Sequence, residues 1–120
     1  MTEVVSIRMP GILERVIRNH AAQSKMRVSD IVRLILMHAP DGQFSFSALP
    51  DFQQFLDTKF DVRLPSDIVA KLRAEAAQLG ISISVYSRVI LYAFYQKRLI
   101  LVDLGERYTL AENHEQKKSA

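Results

Sequence analysis

The chain repeats itself. Sliding the 120-residue sequence by 55 positions lays residues 4–39 over residues 59–94 without a gap. Identities include Arg8/Arg63, Pro10/Pro65, Ala21/Ala76, Ala22/Ala77, Gln23/Gln78, Ser29/Ser84, Arg33/Arg88, Ile35/Ile90 and Leu36/Leu91. Conservative pairs fill the intervals, among them Ile7/Val62, Met9/Leu64, Leu13/Ile68, Ile17/Leu72, Met26/Ile81 and Val28/Ile83. Duplication on this scale constrains the fold more than any single motif. Whatever one copy forms the other must form too, and a unit of roughly 36 residues is too small to bury a core alone.

Each copy has the same local grammar. In the first, Val5, Ile7 and Met9 alternate with Val4, Ser6 and Arg8; in the second, Phe60, Val62 and Leu64 alternate with Lys59, Asp61 and Arg63. This two-residue period predicts a half-buried strand with one polar face. Pro10 and Pro65 follow, where a fixed φ and a missing N–H end the ladder and set up a helix. A helical stripe comes next: Ile68, Leu72, Ala76 and Leu79, matched by Leu13, Ile17, Ala21 and Ser24. Gly80 is the expected stop, with Lys25 at the equivalent place. A second helix is predicted to start at Ser29 and Ser84 as N-caps. Its body (Ile31–Met37, Tyr86–Phe94) is apolar on nearly every side. Such a helix needs neighbours all round, so the two copies are expected to pack on one another.

This divides the chain into copy one (1–40), a connector (41–58), copy two (59–96) and a C-terminal extension (97–120). In the connector, Pro40-Asp41-Gly42 reads as a turn, and Ser47 as the cap of a short helix over Ala48–Asp57. In the extension, Leu99–Leu104 and Tyr108–Leu110 around Gly105 suggest a β-hairpin, with a frayed polar end from Ala111.

Charge follows the same division. The net charge is +3. Residues 1–40 hold six Lys/Arg against three Asp/Glu, and residues 59–95 hold five against three. The connector holds three Asp and no basic residue. The basic excess therefore lies in the two copies, which favours a polyanionic partner. There is no Cys, so disulfides and thiolate metal sites are excluded. His20, His38 and His114 are scattered without ligand spacing, so no metal and no cofactor is expected. No phosphate-binding Gly loop, nucleophile elbow or zinc-protease motif occurs, and a non-enzymatic role is expected. The longest apolar stretch, Val89–Tyr95, is far too short for a membrane span. With no signal-peptide pattern at the N-terminus, a cytoplasmic location is expected.

The strand Asp61-Val62-Arg63-Leu64-Pro65, the run Ala76–Ser84 and Arg88-Val89-Ile90, echoed in copy one by Ser6–Pro10 and Ser29–Arg33, resemble the ribbon-helix-helix superfamily of Arc-type and MetJ-type repressors. Two copies in one chain resemble the tandem arrangement of plasmid transfer proteins of the TraY kind. The resemblance implies a mainly α fold in which the two strands pair into an antiparallel ribbon, a pseudo-dimer within one chain. It further implies that the ribbon enters the major groove of double-stranded DNA. Val4, Ser6, Arg8, Lys59, Asp61 and Arg63 would then read bases. Ser29, Asp30, Ser84 and Val85, at the second helices' N-termini, would hold phosphates. The implied role is a repressor or a conjugation accessory protein, with self-association on adjacent sites. Arg33 and Arg88 are read as structural or ion-paired, and Tyr86, Tyr92, Phe94 and Tyr95 as core. The competing reading is a protein-binding module, an antitoxin or an inhibitor, docking through connector aromatics Phe44, Phe46, Phe52 and Phe55.

Overall fold

The computed structural model describes residues 1–40, 42, 44 and 56–113. Its elements are β1 (Thr2–Met9), α1 (Gly11–Ser24), α2 (Val28–Met37), β2 (Thr58–Pro65), α3 (Ser66–Gln78), α4 (Ile83–Tyr95), β3 (Leu99–Asp103) and β4 (Tyr108–Glu112). A strand and two helices thus occur twice, in step with the sequence repeat. The result is a small α/β fold, with four helices among the described residues, an antiparallel β1–β2 sheet and a separate antiparallel β3–β4 hairpin.

The β1–β2 register is symmetric with respect to the repeat. Ser6 faces Asp61, its own counterpart in copy two, while Val4 faces Arg63 and Arg8 faces Lys59. The two-residue period sorts the faces. Val5, Ile7, Met9, Val62 and Leu64 are buried, Phe60 is half-buried, and the alternate residues lie in solvent. The second helices cross over: α4 packs on β1 and α2 packs on β2. Each repeat therefore covers the strand of the other, and Ile7, Leu64, Ile35, Leu36, Ile90 and Leu91 share one core. Side chains buried this fully contribute roughly 1.5–3 kcal/mol each.

Helix ends differ from the sequence expectation. The N-cap of α2 is Arg27, without a side-chain cap bond, and that of α4 is Ser82, whose Oγ accepts from Val85 N–H. Ser29 and Ser84 sit one residue inside the first turn, because the helices begin at Val28 and Ile83. The prolines are N-caps of α1 and α3, and β2 runs through Pro65, which pairs with Thr2. Lys25 adopts the left-handed conformation (φ 57°) where copy two has Gly80 (φ 72°). The α3 stripe is also shifted. Val69, Leu72 and Ala76 are buried, whereas Leu79 is 39% exposed, because the helix ends at Gln78 and Leu79 leaves the stripe.

The first turns of α1 and α3 are each tied to the segment before the opposite strand. Gly11 N–H donates to the Asp57 carboxylate at 2.8 Å, and Ser66 N–H donates to the Met1 carbonyl at 3.1 Å. Asp57 is thus in no helix; the remainder of the short helix expected over Ala48–Asp57, to residue 55, lies outside the described residues. Phe44 packs against the core; Phe46, Phe52 and Phe55 lie outside the described residues. The C-terminal hairpin is longer than expected, since β4 takes in Ala111 and Glu112. Leu99 and Leu110 are buried, and Leu110 N–H donates to the His38 carbonyl just past α2. The end from His114 lies outside the described residues. Among the described residues, no single helix is long and apolar enough to cross a membrane.

Candidate nucleic-acid interface

The solvent face of the β1–β2 sheet carries all six residues singled out as base readers. Val4 (49% exposed), Ser6, Arg8, Lys59, Asp61 and Arg63 are all exposed. At about 3.4 Å per residue, Val4 to Arg8 spans ~14 Å. In cross-strand order the pairs are Val4 with Arg63, Ser6 with Asp61, and Arg8 with Lys59. Ser6 Oγ donates to Asp61 Oδ1 at 2.6 Å. The aspartate is therefore held at the centre by the serine, and no salt bridge to Arg8 or Lys59 is formed among the described residues. Three cations against one carboxylate leave this face positive.

Two further arginines hold the strands from behind. Arg88 Nη1 donates to the Arg8 carbonyl at 3.1 Å, and Arg33 Nε donates to the Arg63 carbonyl at 2.9 Å. The two bonds reach equivalent carbonyls through different guanidinium nitrogens, each from one repeat to the other. Both arginines brace the opposite strand, within the structural or ion-paired reading of the sequence, but they differ in setting. Arg88 is only 8% exposed, and burial pushes its pKa down. Arg33 is more open and pairs with Asp30 at 2.8 Å. A charge-assisted hydrogen bond of this kind is worth about 1.5–3 kcal/mol where water is excluded. Each carbonyl held belongs to a strand arginine, so the clamps fix the backbone from which Arg8 and Arg63 project.

The residues expected at the helix N-termini divide in two. Ser29 and Ser84 lie in first turns, where helical N–H groups lack intrahelical acceptors. The Ser84 hydroxyl donates to the Ser6 carbonyl, seating α4 on β1. At Asp30 and Val85 the backbone N–H is already engaged. The Asp30 N–H is taken by the Arg27 carbonyl and the Val85 N–H by Ser82 Oγ, because both helices start earlier than expected.

Sequence reasoning missed Arg27 and Arg18. A concavity of about 590 Å³ runs beside β2 from α1 to the first turn of α2, and both arginines line it with Ser29, Phe60 and Asp61. Arg18 lies 5.2 Å over the Phe60 ring and bonds Glu14 at 2.8 Å. That bond holds the Glu14 carboxyl below its ordinary pKa. Arg18 has a signal in the sequence, since Arg73 is its counterpart in the repeat. Arg27 has none, because its counterpart is Ser82.

No family model, no curated protein and no solved structure matches this chain. The site therefore stands on its own geometry. Among the described residues no group of three or more His, Asp or Glu is arranged to hold a metal. The aromatic residues behave as the sequence reading has them. Tyr86 is buried, and Tyr92, Phe94 and Tyr95 pack against the core. Tyr95 Oη hydrogen-bonds His20 Nδ1 at 2.8 Å, and burial raises the phenol pKa. This pair lines a second groove of about 600 Å³, with Val16, Phe94 and Ile100 as apolar wall.

Proposed function

We propose that the chain is a cytoplasmic, non-enzymatic DNA-binding protein, a tandem ribbon-helix-helix pseudo-dimer whose β1–β2 ribbon reads the major groove. It would act as a transcriptional repressor or as an accessory protein of conjugative transfer. The observation that carries this reading is the solvent face of the ribbon, where Arg8, Lys59 and Arg63 surround the Ser6–Asp61 pair in a register symmetric with the repeat. A two-stranded ribbon fits the major groove, and an arginine there donates two hydrogen bonds to guanine O6 and N7. The first turn of α4 is tied to β1 through Ser84, and that of α2, at Ser29, lines the concavity beside β2. Their N–H groups and helix dipoles suit phosphates on either side of the groove. Arg27 adds a cation on the copy-one side.

The test is titration of mixed-sequence duplex DNA by fluorescence anisotropy at several salt concentrations. Affinity that falls steeply and linearly in log–log form as salt rises is expected, because released counterions drive phosphate binding. Absence of binding at low salt overturns the reading. A protein-binding role has one observation in its favour, the apolar groove beside His20 and Tyr95. It predicts that Val16→Glu abolishes activity while ribbon substitutions are silent.

A further inference from the structure

We propose that the ribbon is a polarised reader, which binds an asymmetric DNA sequence in one orientation only. The inference rests on the DNA-reading proposal and goes beyond it. Its basis is the contrast between a symmetric frame and an asymmetric set of side chains. The backbone register is symmetric about Ser6 and Asp61. A frame of this kind carrying identical strands would read a palindrome. Here one end of the outer face presents two cations, Arg8 and Lys59, and the other presents one cation and an apolar side chain, Arg63 and Val4. The centre is occupied by the Ser6–Asp61 hydrogen bond.

That central bond decides what the middle of the face can recognise. The Ser6 proton is committed to Asp61 Oδ1 at 2.6 Å. On this exposed face the serine oxygen and the aspartate carboxylate are left with acceptor capacity only. In the major groove the matching donors are the cytosine N4 and adenine N6 amino groups. The doubly cationic end is all donor and matches guanine O6 and N7 on consecutive base pairs. The Val4 end matches a thymine methyl beside a single guanine contact from Arg63. A sequence meeting this order in one direction fails it in the other, because reversal puts Val4 where two cations belong.

Two measurements test this. The first is selection of duplexes from a random library, by the protein and by the double variant Val4→Lys with Asp61→Ser, which gives both strands the same outward triplet of Lys, Ser and Arg. The native chain is expected to enrich a non-palindromic motif, with guanines clustered at one end. The double variant is expected to enrich a motif with dyad symmetry. A palindromic motif from the native chain overturns the polarity and leaves DNA reading intact. No motif from the native chain overturns both. The second measurement fixes orientation without relying on that variant. The chain has no Cys, so Thr2→Cys, exposed at the Val4 end, offers a single attachment point for an iron chelate that cleaves nearby DNA. Cleavage on one flank of the selected motif is expected. Equal cleavage on both flanks means the protein binds in both orientations, and overturns the proposal.

Discussion

The first repeat leaves α1 through Lys25 in the left-handed region, enters α2 from an uncapped Arg27 and ends that helix at Met37. The second passes the same points with Gly80, a hydrogen-bonded Ser82 cap, and a helix that continues to Tyr95. By local rules copy two is the better-made unit. Several positions in the shared core show no such drift, although buried Ile31 and Val32 are matched by Tyr86 and Ser87. Ile35 and Ile90 are both buried, Leu36 and Leu91 are both buried, and Arg33 and Arg88 donate to equivalent carbonyls of the opposite strand. The contrast teaches where the constraint lies. These positions are kept alike because each repeat supplies one of them to the shared core, while the helix ends and the outward pairs Val4/Lys59 and Ser6/Asp61 have diverged.

The largest effect should come from the shared core. Ile35→Ala and Ile90→Ala should each destabilise by about 2–5 kcal/mol. Either should lower a single denaturation transition followed by circular dichroism. Two separate transitions would show that the copies fold independently, contrary to the crossed packing of α2 and α4. The clamps come next and should be unequal. Arg88→Met should destabilise by about 1.5–3 kcal/mol, since it leaves a carbonyl without its donor in a buried place. Arg33→Met, in the more open position, should lose under ~1 kcal/mol. Equal losses would remove the distinction drawn from burial.

At the outer face, Arg8→Ala and Arg63→Ala should each weaken binding to a selected duplex by about 1–3 kcal/mol without changing the melting temperature. Arg27→Ala should reduce affinity for all sequences alike and lower the salt slope, as removal of a phosphate contact does. If Arg27→Ala instead relaxes base preference, phosphate and base roles have been misassigned. The smallest effects belong to the helix ends. Lys25→Gly should stabilise by about 0.5–1 kcal/mol by relieving the left-handed side chain, and Gly80→Ala should destabilise by about 1 kcal/mol. Ser82→Ala should lose ~1 kcal/mol with its cap. Thermal denaturation of the three variants measures this asymmetry directly.

Much of this was legible from the residues. The strand faces follow from strict alternation, and the need for two repeats in one core follows from Ile31–Met37 and Tyr86–Phe94 being apolar all round. Cap positions were not legible, for a physical reason. Ser82 and Ser84 are both competent caps two residues apart, and the Ser29/Ser84 identity favours the wrong one. That identity also misplaces the free N–H groups, so Asp30 and Val85 look available when they are bonded. The end of α3 was misjudged because Leu79 continues the apolar spacing beyond the last helical residue. Burial of Arg88 was invisible, since an arginine within a helix gives no local sign that it faces a carbonyl on another element. The Ser6–Asp61 bond needed the register, which only the paired strands supply.

The most direct test of the central claim is an NMR titration of isotope-labelled protein with a duplex enriched by selection. The account predicts the largest amide shifts at Val4, Ser6, Arg8, Lys59, Asp61 and Arg63 and in the first turns of α2 and α4, with Val16 and Ile100 unmoved. Shifts confined to the groove around Val16, His20 and Ile100, with the ribbon silent, would contradict it.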